Sequence, residues 1–120
     1  MPDHAEPHNH LPALTDATFA ETIRDATTPV VVDVWAEWCP PCGPMARTLA
    51  ELAPEFDGKL RIYTLNADEN PETARAHRIM SLPTLLVYDN GTLVSATVGA
   101  RPKSVLRLLL ANALTPYANV

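Results

Sequence analysis

The chain is short of several things, and each shortage excludes a class of function. Cysteine occurs only 2 times in 120 residues, at Cys39 and Cys42. Two cysteines three positions apart cannot build the multi-disulfide framework of a small secreted scaffold. Lysine and arginine number 9 against 14 acidic residues, giving a formal net charge of −5. Nucleic acid is therefore not expected as a partner, because neutralising phosphates needs a basic face. No apolar run approaches the ~18 residues that a membrane-spanning helix requires. Met1 to Leu11 shows neither a basic n-region nor an apolar h-region, so a secretory leader is not expected and a cytoplasmic location is. Glycine occurs only 4 times. No Gly-rich dinucleotide fingerprint is present, so the chain is not expected to bind a nicotinamide or flavin itself.

What remains is an ordinary globular composition, 47% apolar, with length for one core and one domain. Residues 1–10 are polar and carry two prolines and three histidines, His4, His8 and His10. They read as a disordered tail ahead of a single domain over 11–120. Leu11 to Thr15 reads as a short edge strand, since Pro12 is tolerated only where no ladder donor is needed. Thr15 or Asp16 is placed to cap a helix that buries Phe19 and Ile23. Val30-Val31-Val32-Asp33-Val34-Trp35 is nearly continuous β-branched sequence, the pattern of a parallel strand buried on both faces. Met45, Leu49, Leu52, Ala53 and Phe56 follow helical spacing. Leu60 to Leu65 is strand-like. Asn70-Pro71-Glu72 opens a short helix ending near Arg78. Thr84 to Tyr88 and Leu93 to Val98 flank Asp89-Asn90-Gly91, a hairpin signal. A last helix from about Pro102 buries Leu106, Leu109, Leu110, Ala113 and Leu114, and Pro116 stops it. The order β-α-β-α-β-α-β-β-α predicts a three-layer α/β/α domain. Its central mixed sheet has about five strands, flanked by about four helices.

The chemistry concentrates at Cys39-Pro40-Pro41-Cys42, between a buried strand and a helix. Cysteines at i and i+3 on a first helical turn can close a small disulfide loop. Cys39 falls near the N-cap, where free N–H groups and the helix dipole favour a thiolate. Cys42 falls about one turn inside, where its sulfur is shielded. Cys39 is thus expected to attack a disulfide and Cys42 to resolve the mixed disulfide. A zinc site would need four ligands, and no second CxxC supplies them. His77 reads as a solvent-facing residue of the short helix.

Val31 to Cys39, followed by Pro41-Cys42, resembles the active-site segment of the thioredoxin family almost letter for letter. Leu82-Pro83-Thr84 is similar to that family's cis-proline loop, and Asn90-Gly91 and Val98-Gly99-Ala100 to its later glycine positions. The resemblance runs from about Leu14 to Leu114. It implies the thioredoxin fold and a protein-disulfide reductase, recharged from NADPH by an FAD-containing thioredoxin reductase and acting as a monomer on disulfide-containing clients. It also implies that Asp33 is a buried acid beneath the disulfide, that Trp35 and Trp38 flank the site, and that the bond before Pro83 is cis. Trp38, Pro40, Pro41, Leu82, Pro83, Val98, Gly99 and Ala100 would then meet the substrate. Burial of Asp33 should raise its pKa.

Three positions depart from the family pattern. Pro40 stands where thioredoxins usually have glycine. Thr64 stands where the family commonly has a lysine close to the buried aspartate, which should push Asp33 further up. Gly43-Pro44 replaces a basic and an apolar residue, and Arg47 takes the place of the helix-kinking proline, so the kink, or a loosened first turn, is expected nearer Pro44. Two other readings stay open: an oxidant, isomerase or client-specific redox protein, which the CPPC dipeptide allows, and a non-catalytic binding module.

Overall fold

A computed structural model describes residues 10–115; the histidine-rich segment before them, with His4 and His8, and Pro116 lie outside the described residues. The central strand β1 is Val30–Trp35, and four of its first five residues are valine. Branched side chains suit a pleated surface covered on both sides, and the first five positions of β1 are all buried. Three further strands complete the sheet: β2 (Arg61–Asn66), β3 (Thr84–Asp89) and β4 (Thr92–Val98), in the order β2-β1-β3-β4. β1 runs parallel to β2 and antiparallel to β3, and β3 to β4 is an antiparallel hairpin. Asn90 and Gly91 both have positive φ, as a two-residue hairpin of the expected kind requires.

The expected fifth strand, Leu11 to Thr15, shrinks to one parallel bridge between Ala13 and Thr64. The Pro12 carbonyl accepts from Thr64 N–H and Leu14 N–H donates to the Thr64 carbonyl. Pro12 has no N–H with which to carry the ladder one step further back.

Four helices cover the sheet: α1 (Phe19–Asp25), α2 (Cys42–Leu52), α3 (Pro71–Ala76) and α4 (Lys103–Ala113). Alternation along β1 feeds two cores. Val31 joins Met45, Leu49, Leu52, Leu106 and Leu110 beneath α2 and α4. Val30, Val32 and Val34 join Ile23, Leu65 and Leu86 on the opposite face, toward α1. This is the three-layer arrangement.

Several ends differ from expectation. α2 stops at Leu52, and Ala53–Phe56 tightens into a 3-10 turn because Pro54 cannot supply an i−4 donor. Leu114, expected in the buried stripe, is the C-cap of α4 and exposed. Asp16 does not cap its own helix. Its carboxylate accepts from Glu72 N–H, Thr73 N–H and the Thr73 hydroxyl, so it caps α3 from 56 and 57 positions away. Partial desolvation opposes these bonds, but the bonds win and hold Asp16 below the usual carboxylate range.

The far end of α3 closes with Arg78 N–H on the Arg75 carbonyl and Ile79 N–H on the Ala74 carbonyl. That is a Schellman pattern, and it puts Arg78 at φ 53°. A left-handed conformation costs a side-chain-bearing residue roughly 1 kcal/mol. Arg78→Gly should therefore raise stability by about 0.5–1 kcal/mol in guanidinium titrations; an unchanged or lowered midpoint would show that Arg78 is not strained there.

Candidate active site

β1 ends at Trp35, and the chain turns at once, with Cys39 N–H bonding the Ala36 carbonyl at 3.2 Å. Cys39 and Cys42 are joined as a disulfide, their Cα atoms 5.5 Å apart. Cys39 is 6% exposed and Cys42 0%, so a partner reaches the pair from the Cys39 side. The helix itself begins at Cys42, not at Cys39, with Pro41 as its N-cap. Cys42 is thus the first helical residue instead of lying one turn inside, because Pro40-Pro41 builds a separate turn closed by Cys42 N–H on the Cys39 carbonyl, 3.2 Å.

Pro44 sits in the first turn of α2, where a missing N–H breaks no i−4 bond that the helix needs. The helix runs on without interruption to Leu52. The bond closing its first turn, from Met45 N–H to the Pro41 carbonyl, is long at 3.4 Å, in keeping with the loosened turn expected there. With prolines at 40, 41 and 44, only Cys42 and Gly43 carry an N–H between Cys39 and Met45. Cys42 spends its own on Cys39. The helix start therefore has few donors to offer a thiolate.

Asp33 lies in the middle of β1 and is fully buried, on the strand face shared with Val31 and hence with the α2 layer. Among the described residues, neither of its carboxylate oxygens has a hydrogen-bond partner. Desolvation alone pushes its pKa up to about 7. Its register partner on β2 is Thr64, also buried, so the neighbouring strand offers an uncharged side chain where the family commonly has an ammonium.

Three other loops arrive at the same end of the sheet. β3 begins at Thr84, which pairs with Val34, so Pro83 lies beside the exit of β1. The Leu82–Pro83 bond is cis. The Pro83 carbonyl accepts from Gly99 N–H at 2.8 Å, which ties in the end of β4. Gly99 has φ 97°, a conformation that excludes most side chains. Trp38 is 65% exposed. Its indole N–H donates to Asp68 Oδ2 at 2.9 Å, fixing the ring against the loop that follows β2. Asp68 was not foreseen: its partner is 30 positions away, and no local pattern signals such a bond.

Residues 10–112 match the family model described as Thioredoxin. The chain belongs to the thioredoxin family. It is 43% identical over 95 residues to the thioredoxin of Synechocystis, covering 79% of this chain and 89% of that protein. It is 46% identical over 96 residues to the thioredoxin of Streptomyces clavuligerus, covering 80% and 89%. To a chloroplastic M-type thioredoxin of Pisum sativum it is 42% identical over 98 residues, covering 82% of this chain and 57% of that protein.

The thioredoxin fold thus brings the dithiol loop, the cis-proline loop, Trp38 and the Val98-Gly99-Ala100 segment to one end of the sheet. Two features lie elsewhere. His77 is not solvent-facing. Its Nδ1 donates to the Thr73 carbonyl at 2.8 Å, its Nε2 meets the Tyr88 hydroxyl, and both rings pack edge-on against Phe19. An open cavity of about 880 Å³ lies beside Pro12, Glu21, Asp57 and Arg61. Arg61 pairs with Val30 at the start of β1, the end of the sheet opposite the disulfide. Neither cysteine lines this cavity, so it does not compete with the dithiol as the active site.

The buried Asp33 makes stability depend on pH in a definite sense. Its carboxyl titrates near 3.8 when unfolded and at about 7 when folded. Below the first value both states hold the proton and burial carries no ionic penalty. Stability then falls as pH rises through the window and stays low above the second value. Asp33→Asn removes that penalty. In denaturant titrations of the oxidised protein its advantage should grow between pH 4 and pH 8 by up to about 4 kcal/mol; an advantage independent of pH would contradict the raised pKa.

Proposed function

We propose that the chain is a thiol–disulfide oxidoreductase working as a reductant of protein disulfides. The observation that carries this reading is the Cys39–Cys42 disulfide, reachable at Cys39 and sealed at Cys42, at a helix start depleted of N–H donors. The Cys39 thiolate attacks one sulfur of a client disulfide. A bond forms between Cys39 and that sulfur, and the client's other sulfur leaves as a thiolate and takes up a proton. The Cys42 thiolate then attacks Cys39 Sγ, which closes the intramolecular disulfide and expels the second client sulfur. Two electrons and two protons pass from the dithiol to the client.

Donor depletion has a sign. Thiolates exist only in the reduced state, so fewer donors leave that state less stabilised and favour the disulfide. The pair is then a stronger reductant. Asp33, with a pKa near neutrality, is placed to hold or release the proton that Cys42 must lose on attack. Trp38, Pro40, Pro41, Leu82, Pro83, Val98, Gly99 and Ala100 form the rim that meets the client, and the Leu82 backbone pairs with it as a short added strand. No cofactor is needed for exchange. Electrons come from NADPH through an FAD-containing thioredoxin reductase, and the protein works as a monomer in a reducing compartment, the cytoplasm.

The order of attack is tested by trapping. Cys42→Ser should accumulate a mixed disulfide with a disulfide-containing protein such as insulin, visible by non-reducing electrophoresis and mass spectrometry at Cys39. Cys39→Ser should trap little. Equal trapping by the two variants, or none by either, would overturn the assignment.

A further inference from the structure

We infer that Met80 is a specificity-determining residue, an adaptable apolar seat that favours clients with apolar side chains flanking the disulfide. The inference rests on the reductant reading above.

Single apolar side chains on a surface are ordinary, but Met80 is not an isolated case. Among the described residues, the large apolar side chains most open to solvent are Met80 at 92%, Trp38 at 65% and Val98 at 54%, together with Leu108 of α4 at 59%. Trp38 adjoins Cys39. Val98 precedes Gly99, whose N–H bonds the Pro83 carbonyl. Met80 precedes Pro83 by three residues, at most about 11 Å of chain. All three belong to the end of the sheet that carries the disulfide.

The loop holds Met80 outward. Ile79 is anchored through its N–H to the Ala74 carbonyl, and its side chain packs against the core on the α1 side. Leu82 packs against the same core. Between them the Ser81 carbonyl accepts from the Thr84 hydroxyl at 2.6 Å. With Ile79 and Leu82 turned inward, Met80 is left standing outward. It is an exposed apolar side chain two residues before the backbone on which a client strand would pair.

The chemistry suits an apolar partner. From Ile79 to Tyr88 the chain carries no charged residue. Arg78 and Arg101 border this stretch, while the acids Glu37, Asp68 and Glu69 belong to the Trp38 side, where Asp68 already accepts from the indole. Methionine is unbranched and polarizable, and it moulds to differently shaped apolar groups. A client strand added at Leu82 exposes alternate side chains to the protein, and an apolar one removes the Met80 thioether from water.

The test uses the full chain and two peptides, each containing one disulfide and differing only in the residues beside the cysteine, leucine in one and serine in the other. The readout is the ratio of kcat/KM for the two. The unaltered chain should prefer the leucine peptide about tenfold. Met80→Gln, of similar length but polar, should cut that ratio about fivefold, mainly through KM, and Met80→Leu should restore it. A ratio unchanged in Met80→Gln overturns the inference. Failure of the unaltered chain to reduce both peptides and a small aromatic disulfide would instead overturn the reductant reading, and the inference with it.

Discussion

The molecule hangs on the pairing of one strand. β1 is hydrogen-bonded on both edges and covered on both faces, so each of its residues has a fixed neighbour. Its two edges set the register of β2 and β3, and its two faces seed the two cores. Where it stops, at Trp35, four loops converge. The dithiol leaves directly from β1, Asp68 follows β2, Pro83 precedes β3 and Gly99 follows β4. The active site is the end of a sheet whose registers are already decided by burial.

That same constraint makes Asp33 unusual. A position in β1 facing the α2 layer would ordinarily take another valine. A carboxyl there is desolvated and gains no hydrogen-bond partner among the described residues, a cost the fold bears at every pH above the unfolded value. The other departure lies just beyond the strand, where three prolines thin out the donors at the helix start. The two act on different quantities. Burial raises the pKa of Asp33, and the prolines remove N–H groups beside the disulfide. Neither changes the backbone route that leaves Cys39 slightly exposed and Cys42 fully covered.

Much of this was legible in the sequence because it is local. VVVDVW announces a buried strand, CPPC an exchange site at a helix start, Asn90-Gly91 a hairpin, and Asn70-Pro71-Glu72 the beginning of α3. The cis bond before Pro83 came from family resemblance and not from local physics, since proline alone does not choose the isomer. What escaped was long-range. Asp16 caps a helix more than 50 positions away, Trp38 bonds Asp68 across 30, and His77 meets Tyr88 across the α3–β3 loop. The lost first strand shows a weak local signal misjudged in degree: Pro12 marked an edge, yet it also limited the pairing to a single bridge.

The equilibrium reduction potential of the Cys39–Cys42 pair is the most direct test, measured by thiol trapping in dithiothreitol and glutathione buffers of defined poise. A helix start poor in N–H donors should place it below the glutathione pool, at roughly −220 to −260 mV, so that the dithiol reduces clients and the disulfide does not oxidise them. A potential at or above that pool would contradict the account, because the prolines would then have turned the site toward oxidation.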